Sequence, residues 1–232
     1  MAVPSEPLAP AAPVTPDPTA SPAVDLRDVV AVLGGFPALA GATLRVERGE
    51  ILLLSGPNGA GKTSLLRVCA GLLPISRGSG HVLGFDLTTH RQEARARVGM
   101  LGHSNGLYAD LTTRENVSFW GGTVGATSDE IERALQRMGL DGRLAGIRAS
   151  GLSAGQRRRT ALACLLARRA EVWLLDEPHA GLDAQGRDEL DTVLRRVVAA
   201  GATVIVASHE LERAGTLADR VVEVVSGQVV AR

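Results

Sequence analysis

Gly56-Pro57-Asn58-Gly59-Ala60-Gly61-Lys62-Thr63 fits the phosphate-loop pattern GxxxxGK[ST]. The apolar run 51–54 before it reads as a buried strand, and Ser64-Leu65-Leu66-Arg67-Val68-Cys69-Ala70 after it reads as a helix. Strand, glycine loop and helix are the context that the pattern requires. Glycines let the backbone turn tightly enough for successive N–H groups to converge on an anion. The helix adds its positive N-terminal end. Gly56, Pro57, Asn58, Gly59, Ala60, Gly61, Lys62, Thr63 and Ser64 are therefore the expected phosphate-binding residues. Lys62 would reach the β- and γ-phosphates, and the Thr63 hydroxyl would sit on Mg²⁺. The stretch predicts binding of a nucleoside triphosphate.

A second segment, Leu152-Ser153-Ala154-Gly155-Gln156, stands before the amphipathic stretch 157–169. Ser153 occupies a helix N-cap position and small residues follow it, so a second anion site is expected there. A third, Val172-Trp173-Leu174-Leu175-Asp176-Glu177-Pro178, is an apolar strand with two carboxylates at its C-terminal end, where open α/β sheets bind ligands. Paired acids can also simply cap a strand or a following helix. Arrayed after the other two segments, they fit chemistry better. Asp176 would hold Mg²⁺ through water, leaving Glu177 to orient and deprotonate the attacking water.

The motif LS-x-G-Q, between a phosphate loop and a strand ending in Asp-Glu, resembles the signature of ABC-type ATPases. The resemblance implies an α/β P-loop NTPase with an ABC-type core, an N-terminal β layer and an inserted helical subdomain. It would occupy residues 25–232, with the helical part at about 87–169, where helical periodicity dominates. Two more matches follow from it. Ala180-Gly181-Leu182-Asp183 resembles the D-loop, whose aspartate communicates between the halves of a dimer. His209, after the apolar run 204–207 and Ser208, resembles the switch histidine that would contact the γ-phosphate and position Glu177 and water. In such ATPases the signature of one copy completes the site of the other. The resemblance therefore implies a homodimer that sandwiches two ATP molecules, with Ser153, Gly155 and Gln156 acting on the partner's nucleotide.

The sequence departs from the family at two places. Counting back from Leu111-Thr112-Thr113-Arg114-Glu115-Asn116, which matches the family's LT-x-x-EN, puts His103 where the Q-loop glutamine belongs. Histidine there, together with the LSAGQ form of the signature, resembles the ATPase subunit of the cytochrome c maturation haem exporter. Imidazole suits hard Mg²⁺ less well than an amide oxygen does. His103 is thus expected to serve catalysis through water or as a conformational lever, with Asn105 offering an amide oxygen instead. The other departure concerns adenine. The place of the stacking aromatic holds Leu33, and Phe36 is the one aromatic nearby. Weak stacking would soften discrimination between ATP and GTP; ATP is expected on family grounds.

Among 232 residues, 25 Lys and Arg balance 25 Asp and Glu, so no basic face for nucleic acid is expected. Arg157-Arg158-Arg159 is the dense basic cluster. It opens a helix whose other face carries Leu162, Leu165 and Leu166, and is expected to be a solvated face, with acidic lipid or a partner as the other reading. Cys69 and Cys164 lie in apolar helical runs and read as buried thiols in a reducing compartment. Residues 1–23 hold seven of the eleven prolines, and residues 1–24 are expected to be a disordered tail with no secretory signal. Strands are expected at 26–32, 43–46 and 51–54, a helix at 129–139, and a hairpin at 221–230 around Ser226-Gly227.

No run approaches the roughly 18 apolar residues of a membrane span. A separate multi-spanning subunit is therefore expected, with this chain peripheral on the cytoplasmic face of the cell membrane. Leu107, Tyr108, Phe119 and Trp120 would either receive that subunit or form subdomain core. Export of haem for cytochrome c maturation is implied by the resemblance around His103. Efflux of a lipid, drug or peptide is the rival, and a soluble stand-alone ABC ATPase or a non-hydrolysing binding module are further readings. The single cassette argues against the stand-alone ATPase, and Asp176, Glu177 and His209 against the non-hydrolysing module. If His103 serves the metal, His103→Gln keeps Mg²⁺-dependent ATP hydrolysis close to wild type; a large loss in that assay shows that the imidazole has its own role.

Overall fold

The computed structural model describes residues 21–102, 105–209 and 215–231. Residues 1–20 of the tail expected at 1–24, and His103, lie outside them; the last residues of that stretch are not tail, since Ala23 and Val24 are fully buried and Val24 opens the first strand. The described elements run β1 (Val24–Leu33), β2 (Phe36–Val46), β3 (Ile51–Ser55), α1 (Lys62–Cys69), β4 (Arg77–Val82), β5 (Phe85–Asp86), α2 (Arg91–Arg97) and β6 (Val98–Leu101). They continue with α3 (Thr113–Gly122), α4 (Ser128–Arg137), α5 (Ala154–Ala167), β7 (Val172–Asp176), α6 (Ala184–Ala199), β8 (Thr203–Ala207), β9 (Arg220–Val225) and β10 (Gln228–Ala231).

Runs of apolar residues that are buried on both faces form parallel sheets, and β3, β7 and β8 are buried at every position. They lie at the centre of a sheet ordered β10-β9-β3-β8-β7-β6, parallel except for the β10 edge. Successive side chains point to opposite faces. Leu52, Leu54, Val172, Leu174, Ile205 and Ala207 join one core, shared with α1 and the antiparallel sheet β2-β1-β4-β5. Ile51, Leu53, Trp173, Leu175, Val204 and Val206 join the other, shared with α3 to α6. The β layer expected near the N-terminus is this antiparallel sheet. The phosphate-loop strand β3 belongs to the other one, because its continuous apolar run has to be covered on both faces.

Two expectations change. The stretch 87–169 contains β6, which pairs with β7 through Met100↔Leu174 and closes the parallel sheet. Four residues are too few to interrupt a helical period visibly. Helix α5 is also not a simple amphipathic helix. It packs against α3, α4 and β6, and Thr160, Ala161, Leu162, Ala163, Cys164 and Leu165 are all buried in succession. Arg158 is buried with them, at 6% exposure, and so does not belong to the solvated face expected of the arginine cluster.

Local signals hold the helix ends. Thr112 with Glu115, Thr127 with Glu130, and Ser153 with Gln156 each form a reciprocal capping box, opening α3, α4 and α5. The β9–β10 hairpin turns on Ser226 and Gly227, both at positive φ, as a two-residue primed turn requires. Asn116, fully buried in α3, organises the loop before it. Its Oδ1 accepts from Tyr108 N at 2.8 Å, and its Nδ2 donates to the carbonyls of Tyr108, Leu111 and Thr112 at 3.0–3.2 Å. Asn116→Ala leaves those buried groups unsatisfied and is expected to cost about 2–4 kcal/mol. Urea unfolding checks this, and an unchanged midpoint contradicts it.

Candidate active site

The loop after β3 is shaped by backbone that only glycine tolerates. Gly56 has φ 125°, and a Cβ there would meet the Val224 carbonyl oxygen at 2.2 Å. Gly61 has φ 111°, and a Cβ there would meet the Ala38 carbonyl oxygen at 2.8 Å. The loop thus rests directly on the β9–β10 hairpin and on β2. Gly227 N donates to Ala60 O at 2.8 Å, and Ala40 N donates to Gly227 O at 2.9 Å, which ties the three segments together. Gly61 is the N-cap residue of α1 and has no side chain over the helix end. The first N–H groups of α1 therefore face the loop, with the positive pole of the helix behind them. Lys62 is buried, and its Nζ donates to Gly56 O at 2.7 Å and Pro57 O at 3.1 Å.

Thr63 lies in the first turn of α1 and Asp176 ends β7. Though 113 residues apart, Thr63 Oγ1 donates to Asp176 Oδ2 at 2.7 Å. Both residues expected at Mg²⁺ are thus side by side at the mouth of the loop. A hydroxyl and a carboxylate are hard oxygen donors, and Mg²⁺ takes one or two carboxylates with phosphate oxygens and waters. Among the described residues no three His, Cys, Asp or Glu side chains gather as a metal cluster. The donor set fits an ion that arrives with a nucleotide.

Glu177 follows Asp176 in left-handed backbone, with φ 49°. Neighbours on β8 and just after it hold its N–H and its carboxylate. Its N–H donates to Ala207 O at the end of β8 at 2.8 Å. Its Oε1 accepts from His209 N at 3.1 Å and lies 2.8 Å from His209 Nδ1, and its Oε2 accepts from Ser208 Oγ at 3.3 Å. The expected base and the expected switch histidine are in contact. Asp176, Glu177, Ser208 and His209 come from the carboxyl ends of adjacent parallel strands, where ligand sites of α/β sheets form.

The signature residues are elsewhere. Ser153 Oγ accepts from Gln156 N at 3.2 Å, and Ser153 N donates to Gln156 Oε1 at 2.9 Å. Ser153, Gly155, Gln156 and Asp183 line one surface groove, and no residue of 56–64 is among its walls. Within this groove Asp183 caps α6, its Oδ1 accepting from Gly186 N at 2.8 Å. A single chain therefore brings together Lys62, Thr63, Asp176, Glu177 and His209, and sets Ser153, Gly155, Gln156 and Asp183 apart.

Other expectations resolve case by case. Asn105 Oδ1 accepts from Arg158 at 3.1 Å, so its amide oxygen is committed to a guanidinium and not to a metal. Phe36 is 78% exposed at the tip of the β1–β2 hairpin. It shares a strand face with Ala38, two residues on, whose carbonyl underlies Gly61. Tyr108 and Phe119 stack edge-on with ring centroids 4.8 Å apart, and both are nearly half exposed. Trp120 joins them at 5.4 Å from Phe119 and lies under the Arg168 guanidinium. Tyr108 and Phe119 are thus a surface cluster and not subdomain core. Burial pushes the Cys69 and Cys164 thiols up to about 12, as expected of inert core cysteines. Arg158 was missed as a site residue. Its spacing with Leu162 and Leu165 along α5 puts it in the buried stripe, which is the signal that identifies it.

A family model described as ABC transporter matches residues 39–180. A cytochrome c biogenesis ATP-binding export protein CcmA of Chelativorans sp. (strain BNC1) is 41% identical over 176 residues, covering 76% of this chain and 86% of that protein. The protein of the same name from Nitrobacter winogradskyi is 42% identical over 180 residues, covering 77% and 87%. Among solved structures, a dimeric post-hydrolysis state of the ATP-binding cassette MJ0796, bound to ADP and Pi, superposes with a TM-score of 0.80 at 26% identity. It covers 89% of this chain and 96% of that one. The loop geometry makes a direct prediction. Gly56→Ala drives a methyl into the Val224 carbonyl and is expected to weaken nucleotide binding about tenfold or more, ~1.4 kcal/mol. Titration with a fluorescent ATP analogue measures it, and wild-type affinity contradicts the geometry.

Proposed function

The chain belongs to the ABC transporter ATPase family, and we propose that it is the ATP-hydrolysing subunit of an exporter serving cytochrome c biogenesis, with haem as the cargo. The observation that carries the catalytic half of this reading is the meeting of Thr63 with Asp176 and of Glu177 with His209 at the mouth of one glycine loop. The biological half rests on relatives named for cytochrome c biogenesis at about 40% identity over most of their length.

Lys62 and the N–H groups of the loop and of α1 bind the phosphates of ATP. Thr63 and Asp176 would hold Mg²⁺, whose charge would neutralise that developing on the phosphate oxygens. Glu177 orients the attacking water and takes its proton, and His209 fixes the carboxylate through its Oε1. Ser153, Gly155 and Gln156 reach the nucleotide from a second copy, since a single chain keeps their groove apart from the loop. Donors already aimed at the phosphoryl group supply the largest share of rate enhancement in such reactions. Among the described residues no helix is long and apolar enough to cross a membrane. By likeness to relatives named as ATP-binding export proteins, the chain would sit on the cytoplasmic face of the cell membrane, beside a separate spanning subunit that the Tyr108, Phe119 and Trp120 cluster receives.

Glu177→Gln tests both halves. Turnover is expected to fall by about a hundredfold or more, while ATP drives the variant into a stable dimer seen by size exclusion. In the native cell, loss of this chain is expected to abolish haem-stained c-type cytochromes, restored by wild type and not by Glu177→Gln. Wild-type turnover in the variant removes Glu177 as the base. Normal c-type cytochromes without the chain remove the biological reading.

A further inference from the structure

Arg158 lies in the second turn of α5, the helix that opens with Ser153, and is 6% exposed. Every N–H of its guanidinium has an acceptor. Nε donates to Pro178 O at 3.0 Å. Of the two terminal nitrogens, one donates to Gly102 O and Asn105 Oδ1, both at 3.1 Å, and the other to Glu177 O at 2.5 Å and Asp176 O at 3.5 Å. A guanidinium carries five N–H donors in a fixed fork. All five are used here, three on consecutive carbonyls of the catalytic turn and two on the loop after β6. Burial lowers the pKa of the group, and the carboxylates of Asp176 and Glu177 oppose that shift.

The carbonyls it gathers are not regular ladder groups. Glu177 sits at φ 49°, a conformation that L residues rarely adopt without support from their surroundings. Its N–H is fixed by Ala207 O of β8 and its carboxylate by Ser208 and His209. The remaining backbone group, the carbonyl, accepts from Ala180 N at 3.1 Å within the turn and from Arg158, the one side chain that reaches it among the described residues. The same side chain is anchored on α5 about five residues, or roughly 7–8 Å along the axis, from Ser153. A shift of α5 therefore acts on the Glu177 peptide through one rigid, fully engaged group.

We propose that Arg158 is a positioning residue for hydrolysis: from the helix that presents the signature, it locks the Glu177 peptide in its left-handed conformation. The setting of the base in one chain then depends on the helix that serves the partner's nucleotide. The inference rests on the reading of Glu177 as the base and of the signature as acting in the partner's site. It adds a route by which the two halves feel each other.

The test is steady-state ATP hydrolysis and ATP affinity of the full chain carrying Arg158→Lys or Arg158→Gln, each with Glu177 intact and with Glu177→Gln. With Glu177 intact, kcat is expected to fall about tenfold or more in both variants while KM and Kd for ATP stay within about threefold. Lysine should not rescue, because three donors on one ammonium cannot span five acceptors. With Glu177→Gln, changing Arg158 should lower the residual rate no further, because it acts through that residue. Where Arg158→Gln does not fold, Arg158→Lys, which keeps charge and stem, decides alone. A kcat within about threefold of wild type overturns the proposal, and so does a loss matched by equal loss of affinity or repeated in the Glu177→Gln background. If Glu177→Gln alone keeps wild-type turnover, the base assignment falls and takes this inference with it. If Glu177→Gln is inactive and Arg158→Lys is not, this inference alone falls.

Discussion

The arrangement depends on the alignment of β3, β8 and β7, three adjacent parallel strands buried along their whole length. Burial on both faces fixes their register, since a slip by one residue would turn each apolar side chain into the wrong core. Parallel pairing then brings all three carboxyl ends to one edge of the sheet. From that edge come the phosphate loop after Ser55, the pair Asp176 and Glu177, and the pair Ser208 and His209. The 2.7 Å hydrogen bond from Thr63 to Asp176 stitches the first to the second. The contact of Glu177 with His209 stitches the second to the third. No long loop has to be ordered to make these contacts; the sheet has already placed their backbones.

Much of this was legible in the sequence because local patterns carried it. The phosphate loop is contiguous, the Asp-Glu pair ends an unmistakable apolar run, and Ser153 announces its cap with Gln156 three residues on. The hairpin at Ser226-Gly227 was equally plain. What such patterns do not carry is the tertiary environment. Strand β6 is four residues long between helical stretches, and its membership of the sheet depends on a partner, β7, more than seventy residues away. Arg158 stands between two other arginines and looks like part of a solvated run. Its helical spacing with Leu162 and Leu165 puts it on the buried stripe, a signal that the flanking Arg157 and Arg159 mask. Asn105 offered an amide oxygen by composition, and only the proximity of that guanidinium assigns it elsewhere. Spacing alone leaves the aromatic cluster between two readings, because it cannot say which side of α3 faces solvent.

The chain is thereby divided into a nucleotide-facing edge and a separate signature groove, with α5 spanning the distance between them. That division gives physical meaning to dimerisation. On the function proposed above, each copy would hold the phosphates, the metal ligands and the base, with its signature groove set apart from them. A second copy would then offer its signature groove to that nucleotide. Closing two such faces on two nucleotides would align charges that neither copy aligns alone, and reopening after hydrolysis would be the motion passed to a membrane subunit.

The most direct measurement of that claim is a disulfide trap between loop and signature. Asn58→Cys and Ala154→Cys, combined in the full chain, place thiols on two exposed segments. The native Cys69 and Cys164 are buried and stay out of the reaction. Under a mild copper oxidant the account predicts a covalent dimer that forms with ATP and not without it, and that disappears when either new cysteine is reverted. Failure to cross-link two chains in the presence of ATP, or a bond formed within one chain, would contradict a site completed by a second copy.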